Sequence, residues 1–277
     1  MAMRFLTALL AFGLCAGTGL AQQRPGEDMA GAEETVGYRQ GVGRIRWSFP
    51  AGLVAAFAVP QWTAGARIQC GSKEAPCEVQ VFGRDISVSD AERRQQLEEA
   101  LMPMLENALD KQPSFRTYGA DAGITYATLQ FARPVEGYRY MTLGYAHKGP
   151  ALLKFQQLSV AAPKLDLLLR LVQDARAVDG LAMWALRLGD YRATCESRFP
   201  AYKDANDRAY ADSPFAAVDV VQEFIKLDPA QTEQSVRDGL AQARKGFAEE
   251  FDLDQPERKQ AFCEGFPRWV AEAARGL

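Results

Sequence analysis

The hydrophobic pattern of this chain changes period once along its length, and that change divides it into two structural parts. Between about residues 44 and 158 apolar side chains alternate or run in short blocks bounded by Gly and Pro, the period of β-strands. From about residue 180 the alternation stops, and apolar residues recur every three to four positions, the period of amphipathic helices. Strands gathered first and helices gathered afterwards describe an α+β fold.

In Arg44-Ile45-Arg46-Trp47-Ser48-Phe49, Ile45, Trp47 and Phe49 fall on one strand face and Arg44, Arg46 and Ser48 on the other. Residues 53–59 read as a strand covered on both faces. Residues 66–70 and 77–82 flank the turn-rich Gly71-Ser72-Lys73-Glu74-Ala75-Pro76 and read as a hairpin. Ser89 and Glu92 have capping-box spacing, ahead of a helical stripe through Leu97, Leu101, Met104, Leu105, Ala108 and Leu109 that Pro103 should kink or end. Strands are expected again at 124–132, 138–146 and 151–158, with His147-Lys148-Gly149-Pro150 as the tip of the last hairpin. A strongly apolar helix opens at Pro163 and is expected to reach about Val178, lying between the sheet and the helical part. In that helical part Ser213-Pro214 and Asp228-Pro229 read as helix starts, and Val236, Leu240, Ala243, Phe247 and Phe251 draw a stripe on the longest helix.

The first 21 residues combine Arg4, an apolar stretch and the small-residue exit Gly19-Leu20-Ala21, which is the form of a secretory signal cleaved before Gln22. The apolar stretch is shorter than the roughly 20 residues of a membrane span. Residues 22–34 are polar and acidic and read as a flexible lead-in. Export leaves Cys70, Cys77, Cys195 and Cys263 in an oxidising compartment, where an even set of cysteines reads as disulfides. Four cysteines allow three pairings. Cys70 with Cys77 and Cys195 with Cys263 is favoured because each bridge then closes within one part, worth roughly 2.5 and 4 kcal/mol by loop entropy.

The expected fold is therefore an antiparallel β-sheet packed with two helices over residues 35–178, followed by a disulfide-bridged all-α domain over residues 180–277. The order strand, strand, hairpin, helix, hairpins, helix resembles the Mog1/PsbP-like layout over about residues 36–178. That resemblance implies a binding or accessory protein, since members of those families share no active site.

Composition narrows the chemistry. There is one histidine, so sites that need two imidazoles are excluded, and neither a metal nor a cofactor is expected. A formal net charge of -3 argues against nucleic acid as partner. No GxSxG occurs, and Gly41-Val42-Gly43-Arg44-Ile45-Arg46 departs from GxGxxG at its last position and runs into a strand. His147 is the one candidate general base, but a hairpin tip reads as a solvated turn. Glu98-Glu99 and Glu249-Glu250 are the carboxylate pairs a glycoside hydrolase would need, on helices where a solvated face is the ordinary reading. The candidate binding residues are Arg44, Arg46, Tyr138, Tyr140 and His147, since Arg and Tyr are enriched in interface hot spots.

The function expected from these residues is that of an exported, periplasmic, non-catalytic binding or accessory protein engaging a protein or envelope ligand. One form is an immunity-type inhibitor of an envelope-directed toxin. The alternative is a carboxylate-dependent hydrolase acting on cell-wall polysaccharide.

Overall fold

The computed structural model describes residues 33–39, 43–53, 55–58, 67–84, 88–119, 123–227 and 229–275. The expected signal and its cleavage site lie outside the described residues.

The fold is α+β, with two antiparallel sheets followed by a helical region. The strands are β1 Glu33–Arg39, β2 Gly43–Ser48, β3 Ala55–Ala58, β4 Arg67–Ser72 and β5 Ala75–Gly83, then β6 Phe115–Tyr118, β7 Ile124–Val135, β8 Tyr138–Lys148, β9 Ala151–Ser159 and β10 Arg176–Ala177. The helices are α1 Asp90–Leu105, α2 Asp166–Asp174, α3 Gly180–Arg198, α4 Lys203–Ala211, α5 Val220–Leu227, α6 Glu233–Asp252 and α7 Pro256–Arg275. Strands β1-β2-β10 form a small sheet, and β3-β4-β5-β9-β8-β7-β6 form a large one. Neighbours in the large sheet are joined by hairpins except β5 and β9. Their pairing, from Cys77 opposite Gln157 to Gly83 opposite Ala151, closes the sheet across a long intervening segment.

Strand alternation assigns the two faces of β8. Met141 and Leu143 point toward α1, whose Leu101 is fully buried with Ala127, Leu129 and Phe131. Ala146 points the other way, into a core shared by Ile45 and Trp47 of β2, Val79 and Val81 of β5, Phe155 of β9 and Leu168, Leu169, Leu171 and Val172 of α2. Helix α2 thus owes its wide apolar surface to the two sheets. Its main packing partners are β2 and β7.

Other elements differ from the sequence expectation. Helix α2 stops at Asp174 because Ala175 is extended, and Arg176 and Ala177 instead pair with Arg46 and Ile45 of β2. Helix α1 has the Ser89/Glu92 capping box but ends at Leu105, two residues past Pro103. Ala108 then bridges to Phe131, the Leu109 amide donates to the Gln130 carbonyl, and the Leu109 side chain is exposed. Strand β6 was not anticipated, and β1 begins at Glu33, inside the stretch read as a lead-in. Ser213 does cap Pro214–Ala217, but as a single 3-10 turn. Helix α6 begins at Glu233 behind Thr232, whose hydroxyl accepts from the Ser235 amide, so Pro229 lies in a turn and not at a helix start.

Both disulfides form as paired from the sequence. Cys70 and Cys77 face each other across β4 and β5, and Cys195 of α3 joins Cys263 of α7. The second bridge lies beside Phe251, with Phe199, Phe247 and Phe262 packed around it. Two such bonds fit a chain that folds in an oxidising, extracytoplasmic compartment. Among the described residues no helix is long and apolar enough to cross a membrane.

Candidate functional site

The five residues singled out from the sequence occupy three separate places. Arg44 sits on β2 and is held by Asp179, just ahead of α3: its backbone amide donates at 2.9 Å, Nε at 3.0 Å and Nη2 at 2.8 Å. With Asp179 only 7% exposed, this bidentate pair is a clamp between the small sheet and the helical region. Arg46 lies directly opposite Arg176 of β10, and with Ser48 and Asp174 they line a small polar recess of about 220 Å³. Tyr138 and Tyr140 stand at the opening of β8, where the Tyr138 hydroxyl donates to the Lys73 carbonyl at 3.2 Å. His147 is near the other end of β8, seven residues from Tyr140, or roughly 23 Å at the rise of a strand.

His147 is not at an exposed tip. Strand β8 continues to Lys148, His147 pairs with Leu152, and only Gly149 and Pro150 remain for the turn. Alternation puts its ring on the face of Met141, Leu143 and Tyr145, under the first turn of α1, with the side chain 18% exposed. Nε2 is buried without a hydrogen-bond partner, and Nδ1 is 3.5 Å from Asp90 Oδ1. Burial, then the charges of Arg84 and Arg93, push its pKa down to about 3. Asp90 pulls the other way, but its side chain is 81% exposed and its charge is screened by water. His147 is a neutral packing residue. It is poorly suited to general base catalysis at neutral pH because its affinity for a proton is too low.

Close to His147 the large sheet meets the helical region. Arg187 of α3 donates from Nη2 to the Arg84 carbonyl at 2.6 Å and to the Tyr191 hydroxyl at 3.2 Å, and from Nη1 to the Pro150 carbonyl at 3.3 Å. Arg84, itself buried, pairs with Glu272 of α7. One guanidinium therefore satisfies the carbonyls where β5 ends and where β8 turns into β9, which ties α3 to the sheet.

A cleft of about 470 Å³ opens between α3, α4, α5 and α6. Its apolar wall includes Leu186, Val218, Val221 and Leu240, and its polar groups include Arg192, Arg237, Arg244, Tyr210 and Asp219. Arg244 donates from Nε to Asp190 at 2.7 Å. Burial raises the pKa of Asp190, and the Arg244 hydrogen bond and charge oppose that rise. Arg237 pairs with Glu233 one turn earlier on α6. Arg192 lies over the Tyr210 ring at 4.7 Å, and its nearest carboxylate, Asp207, is 3.6 Å away. The Tyr210 hydroxyl donates to the Ala185 carbonyl at 3.2 Å. Burial is the main cause of its raised pKa.

None of the cleft residues is among the five candidate binding residues. The signal was present in α6: Arg237, Leu240, Ala241 and Arg244 fall at i, i+3, i+4 and i+7, one helix face that mixes cations with apolar residues. Glu98, Glu99, Glu249 and Glu250 all stand exposed on helix surfaces, and Asp219 is the one carboxylate lining the cleft among the described residues.

No family model matches this sequence, and no curated protein matches it. Among solved structures the chain is similar to the cyanobacterial PsbP protein, CyanoP, of Synechocystis sp. PCC 6803, at 10% identity and a TM-score of 0.31. That match covers 60% of this chain and 99% of that one. It is also similar to a protein of Bacteroides thetaiotaomicron, at 11% identity and a TM-score of 0.32, over 56% of this chain and 59% of that one.

Proposed function

We propose that this chain is an exported, non-catalytic accessory protein that works by binding a small ligand in the cleft between α3, α5 and α6. The observation that carries this reading is the cleft itself. At about 470 Å³ it falls within the range of small-molecule sites, and its lining combines apolar side chains with a few polar groups. The two disulfides support export. Exposed Glu98-Glu99 and Glu249-Glu250 pairs, together with a single lining carboxylate, favour binding over carbohydrate hydrolysis, which needs two carboxyl groups facing one bond. An immunity-type inhibitor is another form of exported accessory protein, but a cleft of this size supports a small molecule as the occupant in place of a toxin.

The test uses Nile red, an uncharged apolar reporter, titrated into the mature protein. Saturable fluorescence is expected for the native chain, and its loss in Ala241→Trp, which fills the cleft from an exposed position on α6. Equal binding by both proteins would refute the cleft as the site.

A further inference from the structure

Each of the three arginines lining the cleft faces a carboxylate of this chain. Arg244 holds Asp190 at 2.7 Å, Arg237 holds Glu233 at 2.6 Å, and Arg192 lies 3.6 Å from Asp207. The one lining carboxylate among the described residues, Asp219, accepts from the Gln222 amide at 3.1 Å where α5 begins. Such pairs offer a ligand local dipoles and little net charge. Asp190 is 6% exposed, so an ion that drew Arg244 away would leave a buried carboxylate without its partner. The lining therefore favours no ion, and what it offers a ligand is the apolar area of Leu186, Val218, Val221 and Leu240.

Gly189 of α3 also lines the cleft. It sits in the interior of a 19-residue helix, where glycine is less favourable than alanine because more backbone freedom is lost in fixing it. Its backbone is right-handed helix, and outside its own stretch of α3 a Cβ built on it would meet one described atom, the Tyr210 hydroxyl oxygen, at an ordinary contact distance of 3.6 Å. The fold has room for a side chain at this position, and what the missing side chain leaves open is the cleft. We propose that the occupant is an uncharged, apolar molecule seated against the bare α3 backbone at Gly189, and that Gly189 sets the size of what the cleft accepts. This inference rests on the cleft being a binding site and adds the charge of its occupant and the residue that limits its size.

The experiment titrates Nile red into the mature protein, Gly189→Ala and Gly189→Leu, melts all three, and displaces the dye from the native chain at neutral pH with decanol, decanoate and decyltrimethylammonium. Gly189→Leu is expected to weaken dye binding about tenfold, the equivalent of roughly 55 Å² of apolar contact denied to the ligand, with a smaller loss in Gly189→Ala. Gly189→Ala should melt no lower than the native chain, and decanol should displace the dye at a lower concentration than either ion. Native-like dye binding by Gly189→Leu overturns the role of Gly189, while loss of binding in Ala241→Trp still upholds the cleft. A lower melting temperature for Gly189→Ala overturns that role too, because the glycine would then serve the fold. Displacement by either ion that equals or exceeds decanol's overturns the uncharged occupant. Failure of Nile red to bind the native chain removes the underlying reading.

Discussion

The single histidine offers a measurement in which one proton reports on the packing of the whole large sheet. With its pKa near 3 in the folded chain and about 6.5 when unfolded, His147 is neutral in the native state at every pH above about 4. Between these two values the unfolded chain binds a proton that the folded chain does not. Lowering the pH therefore favours unfolding by about 1.4 kcal/mol per pH unit, beginning near the unfolded value. Stability from this residue is fully present above pH 6.5 and is lost as the pH falls toward 3. Going from pH 7 to about pH 4.5 should cost about 2.7 kcal/mol from His147 alone. Carboxylates with lowered pKa, such as Asp207 and Glu92, add losses at the acid end, so the comparison must be with a chain that lacks only the imidazole. Urea unfolding of the native chain and of His147→Gln at the two pH values isolates it. The native chain should lose about 2–3 kcal/mol more than the variant over that interval. The imidazole proton resonances, unique in this chain, should also stay at their neutral positions down to about pH 4. A midpoint between pH 6 and 7 in that titration, or equal acid losses in the two proteins, would falsify the burial of His147 beneath α1.

Three further outcomes follow from packing. A Cβ added at Gly144 would overlap the Phe155 ring, so Gly144→Ala should lower stability by about 1–3 kcal/mol in urea, with part regained when Phe155→Leu is added. Replacing Cys195 and Cys263 by Ala should cost about 4 kcal/mol, against roughly 2.5 kcal/mol for the Cys70 and Cys77 pair, and thermal melts of the two double variants should rank in that order. Arg187→Met leaves the Arg84 and Pro150 carbonyls without that partner and should cost about 1–3 kcal/mol, with faster hydrogen exchange at the Arg84 amide, which donates to Pro150 at 2.8 Å.

Local rules made much of the large sheet readable. The β4-β5 hairpin, the capping box of α1 and the long strands β7, β8 and β9 follow from alternation, turn residues and side-chain-to-backbone bonding, none of which requires a distant partner. The errors share a cause. Helix α2 ends four residues before its apolar pattern does: Arg176 and Ala177 have no helix-breaking signature of their own and leave the helix because β2 offers them pairing from 130 positions earlier. The Gly149-Pro150 pair makes His147 look like a turn residue in the sequence, although it pairs with Leu152 in the β8–β9 ladder. Its parity with Met141, Leu143 and Tyr145 already placed it on the buried face.

From the sequence alone come the change from strand to helix, the α+β class and the exclusion of two-histidine chemistry, because each depends on periodicity or composition, whereas the structure selects the favoured cysteine pairing among three. Tertiary structure alone decided which candidate side chains are committed. Arg44 is taken by Asp179, and His147 is largely covered beneath α1 instead of standing at an exposed tip. The reason is physical. Hydrophobic period records which face of an element is covered, but the state of a charged side chain depends on which opposite charge the fold brings within a few ångströms, and those partners come from elsewhere in the chain.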